Sequence, residues 1–486
     1  MRADAARASL AAVGVLVVLR LVAAAILPLS ADEAYYWLWS RHLAAGYFDH
    51  PPAIAWCIRA GTLVFGDTAF GVRIVPVLLS VVASWFVWQS GTALLEGRAS
   101  GASAALLFNL TLMVAVEALA ATPDAPAIAA AAAFLYALVM LEKSGDGRWW
   151  LAAGVAGGLG LLSKYTALFL GLGALVWLIA VPAARRWLLS PWTYCGGLLA
   201  LVLFSPNLWW NATHHWETFA FQFGRIEAGG LTARFIAEFI VAQLALATPF
   251  ILVLAVAGMI RAAREKHISL LSALAAPATV YFLVHALHDR VQGNWPSFLF
   301  PALAVAAAFA GEGEWRGRAA LALRVSRILA IPVAAVMLGA VYLQVFFGIV
   351  PLGRADPLAR LLAIGLPSVV QQVENDRAKT GANALLTTDY ATTGWFIFYR
   401  RAPEPVIPVS EPFRWTMAPN APAGILSGPL LYVVEERNDQ HALVASLFRD
   451  IVRLDTIERR RGGKLVARYA VYRVSGPKGF VDARTP

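Results

Sequence analysis

The sequence predicts a polytopic α-helical membrane protein, with about eleven transmembrane helices and a C-terminal extracytoplasmic α/β domain. Composition is the first ground. Of the 486 residues 59% are hydrophobic and 14% charged, where soluble chains carry roughly 25% charge. The mean hydropathy of +0.63 agrees. The second ground is that apolar windows of spanning length recur up to residue 349 and then stop. The third is that basic residues of short loops fall on alternate sides.

The windows lie near 9–29, 71–93, 99–119, 124–141, 149–162, 166–182, 190–210, 233–260, 268–287, 296–311 and 319–349. A bilayer asks for ~20 mostly apolar residues. The first window is longer than a typical signal-peptide core. Leu29-Ser30-Ala31 resembles a cleavage site, but the residues after it read as functional, so the window is expected to stay as a helix. With Arg2 and Arg7 cytoplasmic, the same side collects Arg98, Lys143, Arg148, Arg185, Arg186, Arg261, Arg264, Lys266, Arg316, Arg318, Arg324 and Arg327. The net charge of +10 is thus a topology signal and a match to anionic lipid heads, not a nucleic-acid footprint. Cys57 and Cys195 fall near opposite faces, which argues against a disulfide, and they form no metal motif.

The other face collects acid, base and cation together. It receives Asp32 and Glu33, Asp49 and His50, Asp124, Lys164, His214 and His215, Arg225, and the run His285, His288, Asp289, Arg290. Each charge taken singly also reads as an interfacial anchor. The whole collection on one face reads as a reaction site. The apolar domain is assigned to 1–349, with an active-site loop at 30–70, and the soluble domain to 350–486. In the latter, ALLTTDYATTGWFIFY, GPLLYVVEE and ARYAVYRVSG are of strand composition. LARLLAIGLPSVVQQVENDRAK has helical spacing with a Pro break. Asp389 in TTDY reads as a turn-stabilising residue rather than a substrate contact.

The loop DEAYYWLWSRHLAAGYFDHPP carries the sharpest chemistry. A carboxylate at an outward membrane boundary suits a general base toward a hydroxyl or amine. On a helix the Asp32 and Glu33 side chains diverge by about 100°, so one would be the base while the other orients it, binds metal or caps the helix. Capping alone, with Ser30 or Asp32 as N-cap, is the plain alternative. AYYWLW reads as an amphipathic segment lying in the interface. Pro51 and Pro52 then fix the approach of Asp49 and His50.

This order of motifs resembles the GT-C fold membrane glycosyltransferases, specifically the bacterial relatives of protein O-mannosyltransferases and lipid A aminoarabinose transferases. The residues that carry the resemblance are the acidic pair after the first helix, the Y-F-x-x-P-P of GYFDHPP, Asp124 after the third helix, Lys164 in LSKYTA, and the outer C-terminal domain. It covers about residues 9–350 and more loosely the rest. It implies transfer of a sugar from a polyprenyl-phosphate donor outside the cytoplasm, with inversion. It further implies catalytic roles for Asp32, Glu33 and Asp124, with Asp32 foremost, and places Lys164 at the donor phosphate. Relatives with D-E-x-R-Y carry arginine where this chain has Tyr35, and those with E-K-P-P carry lysine where it has His50. Those departures bear on aminoarabinose and lipid A specificity more than on reaction type.

A departing polyprenyl phosphate needs cations, and Lys164, Arg225, His50 and Arg290 are the candidates. A divalent metal on Asp32 or Glu33 with His50 is an alternative source of positive charge. Tyr35, Tyr36, Asp49, Asn294 and Trp295 are candidate substrate contacts, although Trp is common at any membrane boundary. Expected partners are a polyprenyl-phosphate-linked sugar, an envelope lipid, glycan or protein acceptor, and membrane lipid. A protein O-glycosyltransferase with the same donor, and a transporter of lipid-linked sugar, are the alternatives. A transporter would place its charges at mid-membrane near broken helices.

Overall fold

The computed structural model describes residues 2–486 apart from 225–229, 266–268, 314, 318, 401, 480 and 482; the side chains of Arg2 and Phe223 also lie outside the description. Arg225, a candidate phosphate-binding cation, therefore lies outside the described residues.

The elements follow in chain order. They are α1 (Arg2–Ile26), α2 (Ala31–Arg41), α3 (Ala53–Phe65), α4 (Ala69–Leu94), α5 (Arg98–Leu110), α6 (Leu112–Glu117), α7 (Asp124–Ser144), α8 (Trp149–Ser163), α9 (Leu168–Ala180) and α10 (Pro191–Thr213). Next come α11 (Glu217–Gly224), α12 (Arg234–Ala247), α13 (Pro249–Ala262), α14 (Ser269–His285), α15 (Phe300–Glu312) and α16 (Ala319–Phe347). The remainder is α17 (Pro357–Leu361), α18 (Leu366–Thr380), β1 (Ala384–Thr387), α19 (Tyr390–Tyr399), β2 (Val406–Pro408), β3 (Leu430–Glu435), α20 (His441–Leu447), β4 (Phe448–Arg461) and β5 (Lys464–Pro477). Two compact units result. One comprises Met1–Ala23, Asp49–Ile54 and Arg73–Ala340; the other comprises Ala24–Phe48, Ala55–Val72 and Val341–Pro486.

The first unit is helical. Among the described residues, four helices are long and apolar enough to cross a membrane: Ala3–Ile26, Ala69–Leu94, Asp124–Ser144 and Ala319–Phe347. A fifth span exists if α12 and α13, bent by 103°, count as one. This corrects the expectation of about eleven full spans. The apolar windows are present, but many are broken. Thr248, at φ 64° before Pro249, turns α12 away from α13. Thr111 ends α5 and caps α6. The windows 149–162 and 166–182 form helices of only 15 and 13 residues, α8 and α9, on either side of Lys164 in extended conformation. Hydropathy averages over such breaks and does not register a single extended residue.

Small residues set the helix spacing. A Cβ on Gly258 of α13 would lie 1.9 Å from the Ala306 carbonyl oxygen of α15, so only glycine permits that approach. Gly154 of α8 and Gly196 of α10 meet in the same way. Charges are buried within the spans, Arg20, Arg73 and Asp124 among them. Arg20 of α1 donates from Nη1 to Asn109 Oδ1 at 2.7 Å and to Ser80 Oγ at 3.4 Å, and from Nη2 to the Asn109 carbonyl at 3.3 Å.

The second unit is built on a five-stranded mixed sheet of order β2-β1-β3-β5-β4. β1 runs parallel to β2 and β3, while β5 runs antiparallel to β3 and β4. Alternation along the strands divides the core in two. Leu385, Leu431 and Val433 face α18 residues such as Val369 and Val373. Leu386, Leu430 and Tyr432 face Val444 and Phe448. GPLLYVVEE and ARYAVYRVSG supply strands as expected, and the helical run breaks before Pro367 into α17 and α18. ALLTTDYATTGWFIFY does not form one strand. Its first part is β1, and Asp389 then N-caps α19, accepting a hydrogen bond from Thr392 N at 2.7 Å.

The segment after α1 belongs to this unit rather than to the helical one. Leu29 donates its N–H to Tyr399 Oη at 2.7 Å, and its carbonyl accepts from Ala363 N at 2.9 Å and Trp395 Nε1 at 3.1 Å. Ala34 of α2 sits in the core with Leu366, Trp395 and Phe396.

Candidate functional site

In the helical unit the central feature is a buried ion pair. Asp124 opens α7, and Lys164 occupies the break after α8. Lys164 Nζ donates to Asp124 Oδ1 and Oδ2 at 2.8 and 2.9 Å, with side-chain exposures of 9% and 3%. Asn294 Nδ2 donates to Asp124 Oδ2 at 2.9 Å, and Ser297 Oγ to Oδ1. Two chain segments thus converge on one carboxylate, whose lone pairs are largely occupied. Asp124, Lys164 and Asn294 are brought together as a set. Ser297 joins them without having been anticipated, because a lone Ser beside Pro296 carries no signal of its own.

Other expected residues of this unit stand differently. Asp49 is buried and its carbonyl accepts from Gln222 Nε2 of α11 at 2.5 Å; His50 is half-buried. Trp295 packs against His285, with ring centroids 5.4 Å apart. Arg290 is exposed and donates from Nε to Glu238 Oε2 at 2.8 Å. His214 stacks on Trp210 at 4.0 Å and contacts its carbonyl, the part of a helix-end residue.

In the second unit α2 resolves the two adjacent carboxylates. Ser30 is the N-cap. Its Oγ accepts from Glu33 N at 3.2 Å, and Glu33 Oε2 accepts from Ser30 N at 2.8 Å. This is a complete capping box. Glu33 is fully buried and holds the start of the helix. Asp32, on the diverging side, is half-buried and accepts from Tyr390 Oη of α19 through Oδ1 at 3.0 Å. Capping thus falls to Ser30 and Glu33, while Asp32 pairs with Tyr390.

The AYYWLW segment does not lie open to an interface. Tyr35, Tyr36, Trp37, Leu38 and Trp39 are all buried. Tyr35 packs on Tyr390 at 5.1 Å and on Trp415 at 5.5 Å, while Trp39 stacks on Tyr47 at 4.3 Å. Trp37 Nε1 donates to Asp67 Oδ1 at 2.8 Å. The expectation failed because the aromatic face of α2 has a protein partner, the α/β unit, which hydropathy of the segment alone does not reveal. Tyr390, whose hydroxyl donates to Asp32, is a residue of this unit that sequence reasoning missed: it lies hundreds of positions from α2, and nothing local marks it.

Among the described residues no three His, Cys, Asp or Glu side chains come together to hold a metal ion. In the expected set of Asp32, Glu33 and His50, the Glu33 carboxylate is engaged in the capping box.

Residues 49–210 match the family described as dolichyl-phosphate-mannose-protein mannosyltransferase. Lipid A galacturonosyltransferase RgtD of Rhizobium johnstonii is 27% identical over 316 residues, covering 62% of this chain and 64% of RgtD. Lipopolysaccharide core galacturonosyltransferase RgtA of the same organism is 30% identical over 198 residues, covering 40% of this chain and 39% of RgtA. The chain thus spans less than two thirds of the length of the curated relatives it matches. Among solved structures, apo ArnT from Cupriavidus metallidurans superposes with a TM-score of 0.63 at 17% identity, covering 95% of this chain and 97% of ArnT. ArnT bound to undecaprenyl phosphate gives 0.62 at 16% identity, with the same coverage. The likeness to ArnT is one of fold. The chain is a membrane protein with the GT-C fold that its motifs resemble.

Proposed function

We propose that the protein is an inverting glycosyltransferase. It moves a sugar from a polyprenyl-phosphate donor to a cell-envelope lipid or glycan on the extracytoplasmic face of the bacterial inner membrane. The observation that carries the reading is the pairing of an ArnT-like fold over 95% of the chain with a half-buried Asp32 oriented by Tyr390. The names of RgtD and RgtA support an anionic sugar, galacturonic acid, and a lipid A or lipopolysaccharide acceptor. ArnT bound to undecaprenyl phosphate supports the lipid carrier. The basic residues of alternate loops support the sidedness.

In this reading Asp32 takes the proton of the acceptor hydroxyl as its oxygen attacks the anomeric carbon. The bond from that carbon to the phosphate oxygen breaks, and the polyprenyl phosphate leaves with both electrons. The added negative charge calls for a cation, and Lys164 is assigned to it. Asp124, already accepting from Lys164, Asn294 and Ser297, is assigned to positioning that lysine rather than to proton transfer. His50, Arg225 and Arg290 are further candidate cations, and Tyr35, Tyr36, Asp49, Asn294 and Trp295 candidate sugar contacts. No step is routed through a metal.

The test is transfer of radiolabelled sugar from a panel of polyprenyl-phosphate sugars, including galacturonyl donors, to lipid A and envelope extracts. Wild type is compared with Asp32→Asn. Transfer by wild type alone establishes the reaction class and the base. Equal transfer by both removes Asp32 from the base role. Flipping of labelled lipid without any transfer replaces the enzyme by a transporter.

A further inference from the structure

We propose that Tyr165 is a positioning residue that aims Lys164 at the phosphate of the lipid-linked donor. The inference deepens the reading above and rests on it for the role of Lys164.

Lys164 sits in a break, extended at φ −156° and ψ 136°, and Tyr165 opens the 3-10 turn Tyr165–Ala167 that follows. The two neighbouring side chains leave the break toward different helices. Lys164 reaches Asp124 of α7. The Tyr165 hydroxyl donates to Asn207 Oδ1 of α10 at 3.0 Å and accepts from Asn211 Nδ2 of the same helix at 3.3 Å. Asn211 Nδ2 also donates to the Asn207 carbonyl at 3.0 Å, one turn back. Tyr165, Asn207 and Asn211 are all buried.

Apolar side chains of the same shape would pack as well, without the desolvation of three polar groups. What the polar trio adds is direction. An extended residue interrupts the regular turn of a helix, so the aim of its side chain depends on how the backbone beside it is held. Two hydrogen bonds one residue away hold that backbone against α10. A displacement of the cation by ~1 Å is enough to forfeit much of its effect on a departing phosphate.

The Tyr165 ring is fixed as well. It stacks on Phe219 of α11 with centroids 4.8 Å apart, meets Phe204 edge-on at 6.1 Å, and packs with Ala53 at the start of α3. A strained turn brings α11 back onto the ring. His215 and Trp216 both stand in left-handed conformation, at φ 55° and 59°, which residues other than glycine rarely adopt. The same helix holds the Asp49 carbonyl through Gln222 Nε2 at 2.5 Å. One short helix therefore touches the residue after Lys164 and the residue before His50. Through the Tyr165 ring it links the Lys164 break to the Asp49–His50 turn.

Purified full-length protein is titrated with undecaprenyl phosphate, with binding read by native mass spectrometry and thermal unfolding recorded alongside. Wild type, Tyr165→Phe, Lys164→Met and the double variant are compared. Tyr165→Phe keeps the ring and deletes only the hydroxyl, and is expected to weaken binding roughly 3- to 10-fold. In the Lys164→Met background the same change is expected to leave affinity unaltered, because its influence runs through the lysine. An equal loss in both backgrounds makes the trio a structural feature of the helix packing and overturns the proposal. So does unchanged affinity of Tyr165→Phe, with or without a fall in Tm. Wild-type affinity in Lys164→Met removes the lysine from the phosphate and overturns the proposal with it. Where Lys164→Met does not fold, Tyr165→Phe decides by itself: a loss of affinity at the wild-type Tm supports the proposal, and unchanged affinity overturns it. Because binding is read and not transfer, Tyr165-dependent binding by a protein that transfers no sugar leaves this inference standing and overturns the glycosyltransferase reading. Sugar transfer by wild type together with unaltered binding by Tyr165→Phe does the reverse.

Discussion

Lys164 and Asp124 form a two-point ion pair at 2.8 and 2.9 Å, with the cation in a break between two helices and the carboxylate at the first residue of a third. Both side chains are largely buried, and Asn294 adds a further donor.

Removing one partner leaves the other charge buried and unmatched. Lys164→Met and Asp124→Leu are each expected to destabilise the protein by about 3–5 kcal/mol, and the double variant by clearly less than either sum. Thermal unfolding in detergent checks this. A double-variant loss equal to the sum of the two single losses would mean that the pair is not coupled. Loss of transfer in Lys164 variants is interpretable only alongside that measurement.

Asp32→Asn is expected to lower the rate of sugar transfer by about 10²–10⁴-fold while leaving the Tm close to wild type. Tyr390→Phe deletes the hydroxyl that donates to Asp32, and a drop in rate of roughly 3- to 10-fold is expected. Steady-state transfer assays separate these. A Tyr390→Phe effect on KM alone would place the hydroxyl in binding rather than in orientation of the base.

Glu33 is expected to act on folding before chemistry. Glu33→Ala breaks the capping box with Ser30 and should cost about 1 kcal/mol or more, with Ser30→Ala similar. Hydrogen exchange across Ala31–Arg41 is the direct readout. Faster exchange of the first turn is expected in both variants.

Asp389 sets a pH dependence of stability. Burial pushes its carboxyl above the ordinary value of 3.8, against the hydrogen bonds from Thr392. Glu435 is likewise raised, by burial first and then by the nearby Asp389. Below the ordinary value Asp389 is protonated in both folded and unfolded chains and contributes nothing. As pH climbs from there through the raised folded value, the unfolded chain gives up its proton first, so native stability falls. Asp389→Asn, which still caps α19, should show a Tm advantage that is absent near pH 4 and grows by about pH 7. A constant offset across that range would refute the assignment.

Much of the candidate site was legible because it is local in sequence. Asp32 and Glu33 follow a long apolar helix, GYFDHPP marks a rigid return, and Asp124 and Lys164 each border a helix. Their residue types at those borders suffice to single them out. Tyr390 and Ser297 were not legible, since an isolated Tyr or Ser is ordinary until a partner is known. The number of full spans was overestimated for a related reason. Hydropathy sums over a window, while Thr111 and Thr248 act through the backbone conformation of single residues.

The sequence by itself determined the solvent of the chain and the change of character near residue 350, because burial in lipid demands composition and composition is additive. It also determined which residue types border the helices. Only the tertiary structure decided that α2 joins the α/β unit, that Glu33 caps while Asp32 turns to Tyr390, and that Asp124 is held by Lys164. Those outcomes rest on directional hydrogen bonds and ring contacts between residues far apart in the chain, which form only once packing brings them within about 3–6 Å.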